Sequence, residues 1–183
     1  MPEIIRKGAV VQDDWQVVRP EAGQAIGALP PGRIIVPLSL WLAQAEALLA
    51  RGNVGVWLAG TDDPAQLAPW LERLSLVAVD FPKFTDGRGF SIAYLLRSRF
   101  GWRGELRAIG DVLPDQVFYM QRVGFDAFAV RADRSVATAL RALKTFSDAY
   151  QGSWDNAVPA FRRADRPWPE SLGQDSLKTR QQA

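Results

Sequence analysis

The chain contains no cysteine and no histidine among its 183 residues. The first absence excludes disulfides, thiolate nucleophiles and iron–sulfur ligation. Together they exclude the usual zinc sites and any histidine-based triad or general base. No apolar run reaches the length of a membrane-spanning helix. No positively charged start leads into an apolar stretch of the signal-peptide kind. A soluble, cytoplasmic protein is therefore expected. Its chemistry, where it has any, must use Asp, Glu, Lys, Arg, Tyr, Ser, Thr, backbone N–H groups, a carboxylate-held Mg²⁺ or a borrowed cofactor. No metal site is expected.

What is present suits a folded domain. The chain is 48% hydrophobic and 23% charged, enough apolar material for a core. Its formal charge of +2 is unevenly spread. Residues 1–80 carry 6 basic and 9 acidic side chains, and residues 81–151 carry 11 and 7. The basic middle can attract a small anion or an acidic protein surface; a nucleic acid is not expected.

Ile4–Arg6, Val10–Gln12 and Trp15–Val18 read as a short antiparallel ribbon turned by Lys7-Gly8 and Asp13-Asp14. Pro20–Gly32 is a Gly/Pro-punctuated linker. From Arg33 the pattern alternates between short apolar runs and helical spacing. Strands are predicted at residues 34–36, 54–58, 76–79, 105–109 and 127–130. Between them, Trp41, Ala45 and Leu48 mark one helix face, and Asp63-Pro64 opens a second helix that Pro69 should kink. Ile92, Leu96 and Phe100 mark a third. A fourth opens at Asp111 or Leu113. The last runs from about Ser135 to Tyr150 with Phe146 inward. Gly52, Gly101 and Gly124 stand at helix ends.

These signals predict one α/β domain over residues 1–152, with the ribbon in 1–20 and the βα core in 33–152. The sheet is mostly parallel, of about five strands joined by right-handed βαβ crossovers. It is either doubly wound or like part of a TIM barrel. Residues 153–183 read as an irregular or disordered C-terminal arm, with Trp154, Phe161 and Trp168 as its large anchors, for the domain or for a partner.

Ligands of such sheets sit at the carboxyl ends of the strands. The longest segment there is Asp80–Gly89. Lys83, Thr85 and Arg88, with Gln116 and Arg131, are candidate anion-binding residues, and Asp86 and Asp111 are candidate acid/base groups. The alternative is a structural loop in which Asp80 and Asp86 neutralise Lys83 and Arg88. Asp111 and Asp115 can hold Mg²⁺ or cap a helix. Gly87-Arg88-Gly89 falls short of a dinucleotide fingerprint because Ile92 stands where its third glycine belongs.

The string Asp80-Phe81-Pro82-Lys83-Phe84-Thr85-Asp86-Gly87-Arg88-Gly89-Phe90-Ser91 is distinctive. With Leu95-Leu96-Arg97, Gly104–Ala108, Gly110–Leu113, Asp115-Gln116, Gly124–Phe128 and Tyr150-Gln151, it resembles a bacterial domain-of-unknown-function family labelled as an oxidoreductase of sulfite reduction. The likeness spans roughly residues 30–152. It implies an association with assimilatory sulfite reduction and a sulfite reductase as partner. No cofactor is predicted, and a non-covalent flavin stays open. Two functions follow as expectations: an accessory protein that docks on sulfite reductase, or a small oxyanion- or phosphometabolite-binding enzyme or sensor built on the 80–89 loop.

Overall fold

A computed structural model describes residues 2–19 and 29–163 of the chain. Trp168 and most of the Pro20–Gly32 linker lie outside the described residues.

Eight strands form a single sheet in the order β2-β1-β8-β7-β6-β5-β4-β3. They are β1 (Glu3–Arg6), β2 (Ala9–Gln12), β3 (Trp15–Val17), β4 (Arg33–Pro37), β5 (Val54–Leu58), β6 (Leu76–Phe81), β7 (Glu105–Gly110) and β8 (Ala127–Phe128). β3 through β8 pair in parallel, and β1 is antiparallel to both β2 and β8. The helices are α1 (Leu38–Arg51), α2 (Arg88–Ser98), α3 (Val117–Arg122) and α4 (Val136–Ala142). Among the described residues none is long and apolar enough to cross a membrane.

The five predicted strands are β4 to β8, side by side in chain order. A doubly wound sheet needs a point where that order reverses; none exists among them. The helices instead share one face. Trp41, Leu48, Ile92, Leu96, Val117 and Met120 pack in one cluster with Val36, Val56, Val77, Val79 and Leu106. The other face holds a smaller cluster of Ile35, Leu76, Ala78 and Ile109, with Trp15 and Trp57 against it. Both faces are covered, so β6 is buried at every residue and its sequence shows no alternation.

The sheet curls. β2 and β3 stand at opposite ends of the strand order, yet only Asp13 and Asp14 separate them in sequence. Seven flat inter-strand spacings would put them about 34 Å apart. Three Cα steps reach about 11 Å at most. The expected third ribbon strand is thus corrected: β3 does not turn back on β2 but pairs in parallel with β4, Trp15 opposite Arg33. The first two ribbon strands do form a hairpin, with positive φ at Lys7 (50°) and Gly8 (76°), as a two-residue primed turn requires.

The ionic contact that fixes this crossing lies inside the curl. Arg107 is 1% exposed. Its Nη1 donates to both carboxylate oxygens of Asp13 at 2.9 Å, and its Nε donates to Glu105 at 2.8 Å. Its Nη2 lies 2.7 Å from the same Glu105 oxygen, at an angle that makes an ion pair without a hydrogen bond.

Several elements differ from expectation. Pro64–Arg73 is 3-10 rather than α-helical; Pro69 has no N–H to donate and crowds an α turn. Asp63 caps it as expected, accepting from the Ala65 N–H at 2.9 Å. α3 starts at Val117, because Pro114 sits in a turn before it. β8 stops at Phe128, two residues short. α4 ends at Ala142, where the Thr145 hydroxyl donates to the Ala142 carbonyl at 2.8 Å and draws the backbone out of the helix. Phe146, expected inward, is exposed and packs edge-on against Phe118.

Candidate functional site

The carboxyl ends of the parallel strands open as a mouth on the curled sheet. The Trp57 indole N–H, from β5, donates to the Val18 carbonyl at 3.0 Å. That bond draws the segment after β3 across the mouth and sets the Arg19 guanidinium 5.4 Å from the Trp57 ring centre. Arg19 grips Asp80 of β6 with both terminal nitrogens, at 3.0 and 2.5 Å. The hydrogen bond to Asp80 raises the Arg19 pKa further above its ordinary value.

β7 supplies the next group. Gly110 has φ +90°, and the turn it makes lets the Asp111 N–H reach the Phe81 carbonyl at 2.7 Å. Asp111 then works in two directions. One oxygen accepts the Phe84 N–H at 2.9 Å. The other accepts Arg131 Nη1 at 2.6 Å. The Phe84 N–H first, and Arg131 second, hold the Asp111 carboxyl below the usual range. Arg131, beyond β8, is also gripped by Asp133 at 2.6 and 3.0 Å, which raises its pKa. A cleft of about 490 Å³ lies between Arg19, Asp80, Phe81, Pro82, Asp111 and Arg131.

The structure brings several predicted site residues together. Asp111 and Gln116 both hold the 80–89 loop, because the Gln116 amide donates to the Phe84 carbonyl at 2.8 Å. Arg131 meets Asp111. Lys83, Thr85 and Arg88 are exposed and do not line the cleft. Asp86 is taken by its neighbour: it accepts the Arg88 N–H, Nε and Nη2 at 3.2, 2.9 and 2.7 Å. These bonds hold its carboxyl down at about 2. Two carboxylates so firmly ionised are weak proton acceptors near neutral pH. Among the described residues no group of three or more carboxylates gathers to hold a metal ion, and Asp115 is exposed.

A pH prediction follows from Asp86. Its folded pKa is lowered, so the Asp86–Arg88 contact contributes fully above the ordinary carboxylate value of about 4 and is lost as pH falls through about 2. NMR titration of the Asp86 side chain should give a midpoint near 2, and Arg88→Ala should raise it toward the ordinary range but not fully, because the residue-88 N–H still donates to it. A midpoint unmoved by that substitution would show that Arg88 is not the cause.

Sequence reasoning missed Arg19 and the inward role of Asp80. Asp80 reads as the residue ending an apolar run. In fact β6 continues through it to Phe81, and period-2 alternation from Leu76 and Ala78 turns it into the mouth. Arg19 sits between β3 and the linker, with no local signal.

The C-terminal anchors divide in role. Trp154 lies under the guanidinium of Arg97, ring centre 5.1 Å away. Arg97 is buried and donates to the carbonyls of Gly124, Trp102 and Gly104 and to Asp126; burial lowers its pKa. Arg122 pairs with Asp155 at 3.2 Å and donates to the Gln151 carbonyl at 2.5 Å. Residues 151–155 are thereby fastened to the domain. Phe161 is 61% exposed and faces Tyr150 at 5.7 Å. Tyr94, Tyr119 and Phe146 are also exposed.

The model of a bacterial family described as "Bacterial protein of unknown function (DUF934)" matches residues 55–161, more than half of the chain. The match runs from β5 past Arg131 and includes Asp80 and Asp111, but not Arg19. No curated protein matches the chain.

Proposed function

The chain belongs to this bacterial family of unknown function, and from that premise we propose that it is an accessory protein of assimilatory sulfite reduction that docks on sulfite reductase. The pathway comes from the resemblance carried by the 80–91 string and the motifs after it. Docking, as the mode of action, rests on one observation: Tyr94, Tyr119, Phe146, Tyr150 and Phe161 are exposed on α2, α3 and the chain after α4. Aromatics and arginines dominate the energetics of protein interfaces. Here Arg162 is exposed, lines a groove with Tyr94 and Phe161, and lies 5.6 Å from the Phe161 ring centre. The surplus of basic groups in residues 81–151 favours an acidic partner surface. With neither thiol nor imidazole in the chain, this reading leaves electron transfer to the partner. It is preferred to an oxyanion site on the 80–89 loop, because Arg88 is already committed to Asp86.

The test is co-purification from the native host, together with growth of a deletion strain. Tagged protein should retain sulfite reductase, and Tyr94→Ala with Phe161→Ala should reduce retention about tenfold or more, as loss of two interface anchors does, without lowering Tm. The deletion strain should grow poorly on sulfate and normally on cysteine. Normal growth on sulfate, with no enzyme retained, would defeat the proposal.

A further inference from the structure

We propose that the cleft at the mouth of the sheet binds a small zwitterion of the free α-amino-acid class. This inference is independent of the docking surface, which lies on α2, α3 and the chain after α4. Its ground is the charge arrangement of the cleft. Arg19 and Arg131 line it together with Asp80 and Asp111. Asp133, gripping Arg131 from outside the cleft, is itself met by Arg134 at 3.5 Å. Three cations and three anions therefore balance. A simple anion would face two carboxylates, and a simple cation two guanidinium groups. A molecule carrying both charges meets neither penalty.

The hydrogen-bonding capacity left over points the same way. A guanidinium has five N–H donors. Among the described residues Arg131 spends three, on Asp111 and Asp133. Two donors remain, one on each terminal nitrogen, and either can meet a carboxylate oxygen. Among the described residues Arg19 spends two on Asp80, leaving three. Each carboxylate has about four acceptor positions. Asp80 uses two on Arg19, and Asp111 uses two, on Phe84 and Arg131. Donors for a carboxylate and acceptors for an ammonium thus face one cleft, each already fixed in place by a partner. Pro82 supplies apolar wall, while the Phe81 ring is turned into the core on the helix side.

The experiment titrates the full chain with four probes: L-serine, acetate, ethylamine and sodium sulfate. NMR follows the Gly110 amide and the Trp57 indole N–H. Serine should saturate, with acetate, ethylamine and sulfate each weaker by about tenfold or more. Arg131→Gln, at a partly exposed position, should weaken serine by about tenfold while Tm stays close to wild type; Arg19→Gln should weaken serine likewise and also lower Tm, because it leaves buried Asp80 without its partner. The comparison of probes on the wild-type chain needs no variant. Acetate or sulfate binding as tightly as serine would overturn the proposal in favour of a plain anion site. Absence of saturation by any of the four would overturn it outright.

Discussion

Asp13→Ala is expected to destabilise the protein by about 3–5 kcal/mol, the usual result of removing one partner of a buried ion pair. Asp13 is 8% exposed and Arg107 1%, so the guanidinium left behind cannot recruit water freely. Glu105 remains beside it and should keep the loss toward the lower end. Against a typical total stability of about 5–15 kcal/mol, that is a large share. The topology adds to the effect. Asp13 lies in the two-residue crossing that ties the two ends of the sheet together, and Arg107 projects from β7, in the middle of the strand order. Their contact spans the curl. Chemical denaturation of Asp13→Ala, Arg107→Met and the combined Asp13→Leu, Arg107→Met variant decides the matter. Each single change should lower the midpoint strongly. The combined variant should recover part of the loss, because neither member of the Asp13–Arg107 pair is then stranded and Glu105 keeps Arg6 at 3.8 Å. Single variants of near wild-type stability would show that the contact does not hold the curl.

The same residue shows why part of the fold was legible and part was not. β4 to β8 were readable because both faces of the sheet are covered, which turns each strand into a short apolar run between glycine-ended helices. Gly52, Gly101 and Gly124 all have positive φ, the conformation that made them helix-end signals. Asp63 and Pro64 announced a helix start correctly, yet not its 3-10 geometry, which depends on Pro69. The place of β3 was not readable, because the contact that sends it to the far edge joins residues 94 apart. The pair Arg19–Asp80 likewise spans 61 residues. Local pattern carries no information about such partners. Phe146 misled for a related reason: its spacing fits the preceding helix, but the helix has ended, and the ring rests on Phe118 of another element. The 80–89 loop, Asp111 and Gln116 lie together, because adjacent parallel strands bring their carboxyl ends together. The loop's own cations proved peripheral, and the arginine that completes the cleft comes from the segment between β3 and the linker.

Gly110→Ala is expected to cost about 3 kcal/mol, from two separate causes. The first is conformational: an L-residue at φ +90° loses about 1–2 kcal/mol relative to glycine. The second is spatial. A Cβ at Gly110 would press into the Phe81 backbone carbonyl and stand 2.7 Å from Asp80 Oδ1. Neither neighbour can yield easily. The Phe81 carbonyl receives the Asp111 N–H, and Asp80 is held on both oxygens by Arg19. Overpacking against such fixed groups adds about 1–3 kcal/mol. The damage should also be directional: Asp80 and Asp111 are pushed apart, so ligand binding at the cleft should fall along with stability. Gly87→Ala provides the matched control. Gly87 has φ −80° and open space where its Cβ would go, so alanine there should be neutral or slightly stabilising. Thermal unfolding of the two variants side by side makes the comparison. Equal Tm values would mean that the turn after β7 tolerates a side chain, and that the close approach of Gly110 to Asp80 does not shape the mouth.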